Sequence, residues 1–168
     1  MSRSKLVTVL LVFAAAKLWL RTATAADLRF LLAPVDLFVG GATGSPGVWT
    51  AEGYHHPDLG MVIDASCAGA NFFCIAFLLL AYYLLRDRDG WAMIPLAALL
   101  ALPVTIVVNV SRILTLLRVG EAPALVSDGV WHQAWGVFTY AGALILLGLF
   151  FFYRSPARRA AIPHPTDA

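Results

Sequence analysis

Charge is what this sequence has least of. Charged side chains are 13% of the chain and hydrophobic ones 60%, whereas soluble domains carry about a quarter charged residues. That deficit excludes an ordinary water-soluble domain and makes the chain an integral membrane protein. Cysteine is scarcer still. Cys67 and Cys74 are the only two, too few for a disulfide framework. On one helix, seven residues of rise would separate them by about 10.5 Å, and a disulfide needs Cα atoms within about 7 Å. They are not an intrahelical pair. Also missing are a glycine-rich phosphate loop, a basic array with interleaved aromatics and any internal repeat. Nucleic-acid binding has no support. His55, His56 and Asp58, in "YHHPD", could touch a metal, but no further Cys or His completes a set. The reading is no metal and no cofactor.

What the chain does have is long apolar runs. A spanning helix needs about 20 mainly apolar residues, and four stretches qualify, at about 6–20, 68–85, 91–110 and 134–153. They predict an all-α, polytopic membrane bundle of about four transmembrane helices, with a long extracytoplasmic loop after the first. Residues 1–157 read as one membrane domain, and 158–168 as a short disordered cytoplasmic tail. The basic start, the apolar run and "TATAA" at Thr22–Ala26 resemble a cleavable signal peptide. Three later runs favour a retained first helix instead. Leu28–Gly40, interrupted by Arg29, Pro34 and Asp36, reads as an interfacial or re-entrant segment.

Orientation follows from Lys and Arg, which collect in cytoplasmic loops near helix ends. An internal N-terminus puts Arg3, Lys5, Arg86, Arg88, Arg154, Arg158 and Arg159 in the cytoplasm, seven against five outside. Cys67, Arg112 and His132 then all fall on the outer face, at the ends of successive helices.

Each of these three residues carries two readings. Cys67, in "VIDASCAGANFF", is a small apolar filler or a nucleophile; a helix N-terminus or a nearby cation favours the reactive thiolate. Asp64 or Ser66 is placed to cap the turn, and Gly69 and Ala70 leave room for a substrate backbone. Cys74, deeper among Phe, Ile and Leu, reads as packing. Arg112, in "VVNVSRILTLL", snorkels or holds a thiolate, carboxylate or oxyanion. Asn109 lies three residues earlier, on the same helical face. His132, in "SDGVWHQAWGVFTY", is an incidental interfacial residue or a proton shuttle near neutral pH. Together, a thiol, a guanidinium and an imidazole make a minimal set for thiol-based acyl transfer. The glycine-rich "GGATGSPG" at Gly40–Gly47 is a gate or merely a loop.

With "SCAG", "NVSR" and "WHQAWG" in this order on hydrophobic segments, the chain resembles the exosortase/archaeosortase family of membrane transpeptidases. The likeness runs from Asp64 to about Tyr153 and is nearest the compact, exosortase K type. The family's "CSG" reads "CAG" here. The resemblance implies a cysteine protease and transpeptidase of the cytoplasmic membrane, its site on the extracytoplasmic face. It would cleave C-terminal sorting tails of secreted proteins through a Cys67 thioester and transfer them to an acceptor or water. Cys67, Arg112 and His132 would be catalytic, with Asn109, Gly69 and Asp64 supporting. The rival readings are a non-catalytic helical membrane adaptor and a quinone-linked thiol oxidoreductase.

Overall fold

The computed structural model describes residues 3–87, 90–120 and 129–154. The tail at 158–168, Arg88, Arg158, Arg159, Ser127 and Asp128 lie outside the described residues. Five helices run in the order α1 (Arg3–Trp19), α2 (Arg29–Thr43), α3 (Ala70–Asp87), α4 (Met93–Gly120) and α5 (Gly129–Arg154). Between α2 and α3 lie three strands, β1 (Val48–Trp49), β2 (Gly53–His56) and β3 (Met61–Asp64). They form an antiparallel sheet in the order β1-β2-β3.

The chain is a polytopic helical membrane protein. Among the described residues, three segments are long and apolar enough to cross a bilayer: Ala65–Arg86, Met93–Arg118 and Ala134–Tyr153. The first helix, α1, has 17 residues, about 25 Å of rise, at the short end of what spans a hydrocarbon core. Lys17 near its end donates to Asn71 Oδ1 at 2.5 Å, which ties α1 to the start of α3. At its other end Lys5 is buried, 5.8 Å from the centre of the Trp91 ring.

The bundle is held by small residues set four apart. On α4, Ala97, Ala101, Thr105, Asn109 and Ile113 are all buried. Leu99, Pro103, Val107 and Ser111, on the opposite side, are exposed. Residues four apart on a helix lie above one another, so these are two stripes, one facing protein and one facing lipid. The buried stripe on α3, Phe72–Ala76–Leu80 with Phe77–Ala81–Leu85, meets α4 at its alanines. Lipid tails are as apolar as leucine, so close backbone approach of this kind drives helix association in a membrane.

Two expected boundaries differ. The third apolar run was expected to stop near residue 110, but α4 continues to Gly120. Ile113, Leu114 and Leu117 keep that extension apolar and pack with the core of α2 and β3. At 28 residues, about 42 Å, α4 outreaches the roughly 30 Å hydrocarbon layer, and Arg112 lies within the helix rather than at its end. The long loop is the other difference, because it is folded rather than open. Leu31, Leu32, Val35 and Val39 of α2 are buried with Ile63 of β3, Ala68 and Ile113 in one cluster. This segment, expected to be interfacial or re-entrant, is a 15-residue helix. At about 22 Å it is too short to cross, and Phe30, Leu37 and Phe38 remain exposed on its other face. Arg29 stands 4.7 Å over the Trp49 ring, an arrangement suited to a membrane interface.

Candidate active site at the head of α3

β3 ends at Asp64, and the chain then makes a 3-10 turn, Ala65–Ala68, before entering α3. The turn is fixed from both sides. On the loop side, Asp64 Oδ1 accepts from the backbone N–H of Ser66 at 2.9 Å and of Cys67 at 3.1 Å. It also accepts from the Ser66 hydroxyl at 2.6 Å. Partial burial alone would push the Asp64 carboxyl up, but the hydrogen bonds from Ser66 and Cys67 outweigh it and hold the carboxyl below its ordinary value.

A group with a depressed folded pKa stabilises fully above its unfolded value, near 3.9, and loses that contribution as pH falls through the folded value. The cap is therefore constant across the neutral range and lost only in acid. Asp64→Ala should cost about 1 kcal/mol at neutral pH, and Asp64→Asn, an equally good cap, only a few tenths. Thermal unfolding in detergent checks this. Equal losses for the two variants would mean the cap is not what Asp64 contributes.

On the helix side, Gly69 takes φ +66°, a left-handed conformation that L side chains rarely adopt. A Cβ there would lie 3.2 Å from Thr105 Cγ2 and 3.3 Å from Asn109 Cγ. Gly69 was expected to clear space for a substrate. Its observed use is the close approach of the turn to α4. Through that approach the Asn109 amide donates to the Cys67 carbonyl. Asn109 is fully buried, and its Oδ1 accepts from the Tyr140 hydroxyl at 2.8 Å. Asp64, Gly69 and Asn109, expected to support a site, thus converge on one turn, the one that carries Cys67.

Cys67 itself is half-buried and lines a cavity of about 730 Å³ with Arg112, Thr43, Asp58, Met61 and Ile113. Arg112 sits one turn beyond the Asn109 level, with its Cζ 5.5 Å from the Tyr140 ring centre. Its Nε–H is buried and has no hydrogen-bond partner among the described residues. Such orphaned donors are rare, and this one belongs to a side chain that reaches the thiol's cavity. Cys74 is also a free thiol, buried in α3.

His132 falls in the first turn of α5; its side chain lies outside the described residues. Its register is nonetheless informative. Positions 132, 136 and 140 are each four apart and share one helix face. A Cβ on Gly136 would come within 3.0 Å of Arg112 Nε, so the face that carries position 132 is the one that packs on Arg112.

Of the loop histidines, His56 is committed elsewhere. Its Nδ1 is 2.7 Å from the Ser45 carbonyl and its Nε2 is 2.9 Å from Asp36 Oδ1. Two contributors escaped the sequence reading. Tyr140 lies in an aromatic-rich helix where rings are expected as packing, and its spacing from His132 was the available signal. The sheet was missed because its strands are only two to four residues long, too short for alternation to show.

No curated protein and no solved structure matches the chain. The sequence profile of one family, described as transmembrane exosortase, matches residues 2–149. That match takes in α1 to α4, α5 as far as residue 149, and the whole of the turn and cavity around Cys67, and the chain belongs to the transmembrane exosortase family.

Proposed function

We propose that this protein is a membrane cysteine transpeptidase in which Cys67 is the nucleophile. It cleaves secreted proteins at a C-terminal sorting tail made of a short motif, a membrane helix and a basic end. The site faces the extracytoplasmic side of the cytoplasmic membrane. The observation that carries the reading is a thiol and a guanidinium side chain, Cys67 and Arg112, lining one cavity.

The Cys67 sulfur attacks the scissile carbonyl carbon, and the carbonyl electron pair moves onto oxygen. Arg112 donates to that oxyanion, where a pre-set donor in a water-poor site is worth most. His132 takes the thiol proton and passes it to the departing amine as the C–N bond breaks. The tail leaves as an amine, and the substrate remains as a thioester on Cys67. An acceptor amine, or water, then attacks the thioester carbonyl and releases the thiol.

A covalent intermediate is the direct test. A secreted reporter with such a tail, drawn from the same genome, should leave an adduct on Cys67 visible by mass spectrometry. Neutral hydroxylamine should release it, as it does thioesters. Processing of the reporter with no hydroxylamine-sensitive adduct at Cys67 would overturn the thioester.

A further inference from the structure

We propose that Tyr140 is a positioning residue for the Cys67 site, its hydroxyl setting Asn109 and its ring and hydroxyl together seating Arg112. The inference deepens the function proposed above, and rests on it for its activity measurement alone. Asn109 is a carboxamide with both ends engaged, the NH₂ on the Cys67 carbonyl and the oxygen on the Tyr140 hydroxyl. The two ends of such an amide are nearly the same shape and opposite in hydrogen-bonding sense. Flipped, Asn109 would set its oxygen against the Cys67 carbonyl oxygen. The Tyr140 O–H, as a donor aimed at Oδ1, selects the end that faces the turn.

The ring acts on the second residue. Arg112 Cζ stands 5.5 Å from its centre, within cation–π range, and Phe72 holds the ring from α3 at 5.1 Å. One turn earlier on α5, Gly136 leaves open the space that Arg112 Nε occupies, since an added Cβ would sit 3.0 Å away. The guanidinium therefore lies along a Gly136–Tyr140 strip. Asn109 and Arg112 are three apart on α4, on one face, so a single side chain of α5 reaches both.

The test uses the full chain in detergent with Cys74→Ala, leaving Cys67 as the sole thiol. The rate at which iodoacetamide alkylates Cys67 is measured for Tyr140→Phe, for Asn109→Ala and for the pair. Each single change should alter the rate by about threefold or more, and the double variant should match a single one, because the hydroxyl acts on the Cys67 turn through Asn109. Independent, multiplying effects, or no effect of Tyr140→Phe, would overturn the assignment.

Processing of the tailed reporter reads the ring's share, since Arg112 also contacts the hydroxyl. Tyr140→Phe, which keeps the ring, should retain far more activity than Tyr140→Leu, which should approach Arg112→Ala. Equal activity of the Phe and Leu variants would sink the seating of Arg112. A wild-type chain that processes no tailed reporter would count against the proposed function, while the alkylation cycle still decides the role of Tyr140.

Discussion

Cys67→Ala should abolish processing of a tailed secreted protein while leaving the membrane bundle intact. The loss follows from chemistry. Without the sulfur no thioester forms, and removing the nucleophile of a comparable acyl-transfer site costs on the order of 10⁴-fold or more. Cys67→Ser should be nearly as inactive, because a hydroxyl carries almost no anion near neutral pH. The fold should survive, because the turn is held by Asp64 and by the Asn109 bond to the backbone carbonyl, neither of which needs the Cys67 side chain.

Cys74→Ala is the matched control. Its thiol is buried in α3, so truncation leaves a small void and costs about 1 kcal/mol without touching the reaction. The expected pattern is therefore an inactive, stable Cys67 variant and an active, slightly destabilised Cys74 variant. Loss of activity in the Cys74 variant would favour a redox pair and the oxidoreductase reading. Unchanged processing by the Cys67 variant would end the nucleophile assignment. Immunoblots of substrate length, with thermal unfolding of both proteins, separate these outcomes.

How much of this could be read from sequence depends on the length scale of the signal. Helices α3, α4 and α5 announce themselves because 20 apolar residues in a row have one cheap solution in lipid. Cys67, Arg112 and Asn109 stood out as candidates because polar or reactive side chains in or beside such runs are costly unless used. The stripe Ala97–Ala101–Thr105–Asn109–Ile113, at a spacing of four, was there to be found, hidden by a run in which nearly every residue is apolar. Tertiary arrangement was not legible. Nothing local to "GYHH" or "MVID" says that they pair as His56 with Met61. Nor does Asp36, in an apolar segment, reveal its partner twenty residues away.

That partner gives the second large effect. His56→Ala should destabilise the protein by about 3 kcal/mol or more, lowering the unfolding midpoint by roughly 6 °C or more. His56 is completely buried, its Nδ1 2.7 Å from the Ser45 carbonyl and its Nε2 2.9 Å from Asp36 Oδ1 of α2, an ion pair when the ring is protonated. Removing it creates a cavity and strands a carboxylate that is only 15% exposed. Asp36→Asn keeps an oxygen facing Nε2 and preserves volume, so about 1 kcal/mol is the expected cost. His56→Phe, which fills the space but leaves both oxygens unpaired, should fall between them.

The consequence travels to the site, because β2 carries His56, pairs with β3, and β3 ends at the Asp64 cap. Processing by His56→Ala should therefore be near normal well below its midpoint and lost at temperatures the wild type tolerates. Melting of His56→Ala within a degree of wild type would show that the sheet is held to α2 by its apolar contacts alone. In that case the anchor of the Cys67 turn would have to be Ile63, buried in one cluster with Leu31, Leu32 and Val35.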